Sequence, residues 1–70
     1  MNLTKYAQRD LRLARKEGRM AVCQTKIGTI WIEYSNRVYT FTNNNGETLY
    51  QGGAKGAETA LCNSYQVVTE

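Results

Sequence analysis

The chain reads as a small two-layer α+β domain, and three observations predict it. Apolar residues recur at helical spacing over 3–17, alternate with period 2 from residue 20 to 51, and return to helical spacing over 54–64. The connections between the alternating stretches are short, which makes the strands antiparallel. The resulting order is α-β-β-β-β-α, with both helices on the apolar face of one sheet of three to four strands. Seventy residues are a single domain. It divides into a basic amphipathic helix (1–19), an antiparallel β-meander (20–51) and a C-terminal helix with a tail (52–70).

The first helix spans 3–17. Asn2 or Thr4 is its candidate cap, since a short side-chain oxygen accepts from an orphan N–H of the first turn. Leu3, Ala7, Leu11 and Ala14 form its apolar stripe, flanked by Tyr6 and Leu13, with Asp10 and Glu17 nearer that side. Gly18 ends it, because glycine takes the left-handed conformation that helix C-termini favour.

Four strands follow, at 20–25, 29–34, 37–42 and 47–51. A loop at Lys26-Ile27-Gly28 sets Met20 and Val22 over Ile30 and Ile32. A two-residue turn at Ser35-Asn36 pairs Ile32 with Tyr39 and Ile30 with Phe41. It puts five large side chains, Tyr34 included, on one face. Asn43 to Glu47 suits a three-residue hairpin loop with Gly46 left-handed, which turns Leu49 to the core and Tyr50 away; a two-residue Asn45-Gly46 turn exchanges those roles. Gly52-Gly53 bends the chain into the second helix, 54–64. Ala54, Ala57, Ala60, Leu61 and Ser64 give that helix a face small enough to approach a sheet closely. Gln66 to Thr69 is a candidate edge strand.

Charge is the feature that points at function. Residues 1–19 hold six of the nine basic side chains, and Lys5, Arg9, Arg12, Lys16 and Arg19 fall within one arc of a helix, opposite the apolar stripe. No acidic residue interrupts that arc. It is either a solvated helix back or a surface for phosphates or carboxylates, and the second reading is the working expectation. The net charge of +3 favours acidic partners over basic ones. A second candidate is the sheet's open face, where the register aims Trp31 outward beside Val38, Thr40 and Glu33, with Tyr50 one strand further. The competing arrangement covers Trp31 with the second helix or the tail.

Catalysis has little to draw on. The chain has no histidine, and its six carboxylates are scattered without an evident converging pair. Cys23 and Cys62, 39 positions apart, match neither a disulfide framework nor a metal spacing, and read as reduced, partly buried thiols. Gly52-Gly53-Ala54-Lys55-Gly56 lacks P-loop spacing and reads as a turn. No enzyme activity, cofactor or metal is expected. Neither a membrane span nor a signal-like segment is evident, so the expected location is cytoplasmic.

Two resemblances follow from these elements. Leu3-Thr4-Lys5-Tyr6-Ala7-Gln8-Arg9, and Ala54 through Leu61 in the order helix, strands, helix, resemble the double-stranded RNA-binding domain. That family meets the duplex partly through a lysine cluster at the start of its second helix, a place that Lys55 alone fills here. In type rather than motif, a one-domain basic chain without catalytic residues resembles the small accessory proteins of bacteriophages, anti-CRISPR proteins among them. That resemblance implies an inhibitor that occludes a surface of a host protein or nucleoprotein complex such as a CRISPR effector, RNA polymerase or nuclease. The expected contacts are Lys5, Arg9, Arg12, Lys16 and Arg19, with Trp31 and Tyr50 as anchors. Direct binding of duplex RNA or DNA through the same helix is the alternative, and a self-association role stays open.

Overall fold

The architecture is a four-stranded antiparallel sheet with two helices on one face, seen in a computed structural model that describes residues 3–65. Helix α1 (Leu3–Glu17) leads into β1 (Arg19–Val22), β2 (Ile30–Ser35), β3 (Val38–Thr42) and β4 (Thr48–Gly52), and α2 (Ala54–Ser64) closes the series. The strands lie side by side in chain order, β1-β2-β3-β4. This is the predicted α+β order. Asn2 and residues 66–69 lie outside the described residues, and Thr4 sits within α1 rather than ahead of it.

Helix α1 lies over β1 and β2, α2 over β3 and β4, and the two helices touch each other. Alanine makes this close stacking feasible: Ala7, Ala14 and Ala57 are completely buried where larger residues would push the layers apart. Leu11 and Leu61 fill the space between them. From the sheet, Val22, Ile30, Ile32, Tyr39 and Phe41 complete the core.

The period-2 alternation assigns faces correctly in β1, β2 and β3. Met20 and Val22 lie over Ile32 and Ile30 as expected, but β1 ends at Val22 rather than at 25, and residues 23–29 make a longer connection than the Lys26-to-Gly28 loop. The β2–β3 turn, however, is Asn36-Arg37 rather than Ser35-Asn36. Both residues have positive φ, 52° and 64°, the geometry of a hairpin turn that follows strand twist. Ile32 therefore opposes Phe41, and Tyr34 opposes Tyr39 with ring centroids 4.7 Å apart. Moving a turn by one position shifts partners by two, so each side chain keeps its face.

The β3–β4 hairpin departs further. Gly46 is left-handed (φ 81°) and the loop closes as expected, with Asn43 N–H donating to Glu47 O at 3.1 Å and Gly46 N–H to Asn43 O at 3.0 Å. Asn43 Oδ1 also accepts from the N–H groups of Asn45 and Glu47. Thr42 then pairs with Thr48, but Phe41 pairs with Tyr50, so one extra residue, Leu49, is accommodated in β4 as a bulge. The bulge reverses the expected roles. Tyr50 lies on the helix side, edge-on to Phe41 at 5.5 Å, and Leu49 is 42% exposed.

Candidate functional site

Helix α1 separates two surfaces by periodicity alone. Ala7, Asp10, Leu11 and Ala14 are buried, and Lys5, Arg9, Arg12 and Lys16 project from the opposite arc, all exposed. Their 4-3-4 spacing makes a nearly straight row about 16 Å long. Among the described residues Arg12 and Lys16 carry no ion pair. Arg9 is partly engaged, 3.6 Å from Asp10 Oδ1 and stacked over the Tyr6 ring at 5.1 Å.

Arg19 does not belong to the row. Gly18, with φ 82°, donates its N–H to Ala14 O at 2.7 Å and stops the helix, and its own carbonyl accepts from Tyr34 N–H at 3.0 Å. The chain enters β1 at once, and Arg19 emerges on the other side of the sheet. There its guanidinium lies 4.7 Å from the Trp31 ring centroid and 3.8 Å from Glu33 Oε1. The helical extrapolation ran one residue past the glycine that ends the helix.

Trp31 does point away from the helix layer, opposite Thr42 rather than Thr40. It is half-buried. Arg19 covers one part of it, and its indole N–H donates to Asn44 Oδ1 at 3.3 Å. Tyr50 is on the opposite face, so the expected pair of aromatic anchors does not form. The Tyr50 hydroxyl donates to Gly53 O at 2.9 Å and its ring edge lies against Gly52 and Gly56. The approach of this tyrosine explains Gly52 and Gly56, whereas Gly53 has open space at its Cβ position.

One buried polar pair escaped the sequence reading. Asp10, 7% exposed within the apolar stripe of α1, accepts a 2.5 Å hydrogen bond from the Tyr65 hydroxyl. Burial, and then the bond to Asp10, push the Tyr65 hydroxyl well above the usual phenol range. The signal was Asp10 itself, a carboxylate among Leu3, Ala7 and Ala14, but its partner is 55 residues away. Arg15, in the last turn of α1, lies 5.7 Å from the Tyr34 ring centroid. Cys23 is exposed rather than partly buried, Cys62 is half-buried, and both are free thiols.

Beside the basic row, Tyr6 and Leu13 are 41% and 42% exposed on one flank of α1. Tyr6 also borders a groove of about 490 Å³ between α1 and β1. A smaller hollow on the other flank, about 230 Å³, is lined by Arg12, Arg15, Tyr39 and Glu58 among others. Among the described residues no group of three or more histidine, cysteine or carboxylate side chains is placed to hold a metal ion. No helix among them is long and apolar enough to cross a membrane.

Comparison with known proteins adds no family: no family model, curated protein or solved structure matches this chain.

Proposed function

We propose that the chain is a non-enzymatic docking protein whose α1 presents Lys5, Arg9, Arg12 and Lys16 to an acidic surface of another macromolecule. The observation that supports this most is the row of four exposed cations, uninterrupted by any carboxylate and directly opposite the buried side of the helix. Such a row raises encounter rates with a negative partner and disfavours positive ones. The specific role proposed is that of the small phage accessory proteins it resembles: occlusion of an acidic surface on a host protein or nucleoprotein complex.

Capture experiments test the proposal. The chain carrying Arg12→Glu with Lys16→Glu alters only exposed positions without ion pairs among the described residues, so the fold is retained. The wild-type chain is expected to retain a defined partner from a nuclease-treated bacterial lysate, and the doubly reversed chain to lose it. Capture that survives the reversal overturns the role of α1.

The same uninterrupted row favours one second reading, direct contact with duplex phosphates. Four phosphate contacts on B-DNA give a slope of log K against log salt of about −3.6, a loss of about 150-fold between ~50 and ~200 mM salt. Absence of duplex binding at both concentrations eliminates it.

A further inference from the structure

The groove between α1 and β1 adds a chemical specification to the basic row. Leu3 and Tyr6 from α1 face Met20 and Val22 of β1 across it, and Arg9 stands at its rim as a member of the cationic row. Asp10, also in its wall, is already held by Tyr65 and Arg9. Among the described residues β1 (Arg19–Val22) is paired on one side only, by β2, and just beyond it Thr25 bridges Tyr65 at the end of the groove, so the open edge available to an extended segment is Arg19–Val22. We infer that this groove receives a protein segment of the partner in which an apolar side chain is flanked by carboxylates: the apolar group enters between Tyr6, Met20 and Val22, and the carboxylates meet Arg9 and the row beyond it. The inference rests on the docking reading of α1.

Two features favour a protein segment over nucleic acid. A phosphate backbone has nothing aliphatic to place in an apolar groove. The Tyr6 ring, on which a base would otherwise stack, lies beneath the Arg9 guanidinium. Exposed Leu13, two turns from Tyr6 on the same flank, extends the apolar margin along the row. Aromatic and arginine side chains side by side, next to apolar area, form the composition of an interface centre.

The test uses amide-resolved NMR on the full-length chain with defined probes. These are a seven-residue peptide with leucine at its centre and glutamate elsewhere, its alanine-centred counterpart, the leucine peptide with lysine in place of glutamate, and a short RNA duplex. The leucine–glutamate peptide is expected to shift the amides of Tyr6, Met20, Val22 and Cys23, and to bind about tenfold or more tightly than its alanine counterpart. The lysine peptide is expected to shift none of them. Tyr6→Ser, at an exposed position, should abolish the leucine preference yet keep the glutamate-dependent shifts along α1. Equal binding of leucine and alanine peptides, confined to Arg12 and Lys16, overturns the groove inference and leaves the docking reading standing. Loss of neither binding nor shifts on reversing Arg12 and Lys16 overturns the docking reading itself. Groove shifts produced equally by the RNA duplex overturn the choice of a protein segment.

Discussion

Replacing Gly56 by alanine sets two effects of known sign against each other. In a helix interior alanine is favoured over glycine by up to about 1 kcal/mol, so helix propensity predicts stabilisation. The structure predicts the reverse. A Cβ at Gly56 would overlap the Tyr50 hydroxyl and stand 2.9 Å from Cζ and 3.1 Å from Cε1, so the ring edge as a whole must move. That ring is held at one side by Phe41 and at its tip by Gly53 O. Overpacking of this kind costs about 1–3 kcal/mol. Set against the propensity gain, the net change is a loss of up to about 2 kcal/mol, or a fall in Tm of up to roughly 15 °C for a domain of this size. Thermal or urea denaturation followed by circular dichroism measures it. The decisive comparison is the same substitution in a Tyr50→Leu background, where the ring is gone and alanine should become stabilising by up to ~1 kcal/mol. Stabilisation by Gly56→Ala in the wild-type chain would refute the packing argument.

Other expectations follow from the same contacts. Tyr65→Phe leaves the buried Asp10 carboxylate without its hydroxyl donor and should cost about 1–3 kcal/mol near neutral pH, measured by urea unfolding. The folded state raises the Tyr65 hydroxyl above the usual 10.0, so its contribution is fully present below that pH and is lost as pH rises beyond it; unfolding titrated from pH 8 to 12 should fall less steeply in the phenylalanine variant. Arg37→Gly removes a left-handed non-glycine residue from the β2–β3 turn and should raise stability by up to ~1 kcal/mol; a lower Tm would show that Arg37 is held by contacts the turn geometry does not include. Ile32→Ala empties a completely buried position between sheet and helices and should cost about 2–5 kcal/mol, enough to leave so small a domain largely unfolded by near-ultraviolet dichroism.

The parts of the fold that sequence made legible are those that depend on period. Alternation fixes which side of a strand is buried, and a two-residue turn misplaced by one position cannot change it, which is why Ile30, Ile32, Tyr39 and Phe41 were assigned to the core despite the wrong partners. What period does not encode is an extra residue. Leu49 and Tyr50 are both plausible core residues, and the glycines at 52 and 56, where a Cβ would meet the Tyr50 side chain, are what distinguishes them. The basic row was legible for the same reason as the strands, over the length for which the helix lasts. Arg19 failed because its position was extrapolated through Gly18, a residue already identified as the helix end. The groove beside α1 was not legible, since it joins residues 3–10 to residues 20–24 and Tyr65 across three separate elements.

The bulge at Leu49 lets the 43–47 loop and the Tyr50 rung hold separate registers, so additions to this segment matter more than substitutions or the loss of the bulged residue. A polar substitution at the exposed Leu49 changes one side chain. Deleting that residue would close the bulge and leave the later rungs in place, Tyr50 still opposite Phe41 and Gln51 opposite Thr40, whereas one added residue would move Tyr50 opposite Thr40 and toward solvent. Lineages of this chain can therefore rewrite or even lose residue 49, so long as they do not lengthen the strand there.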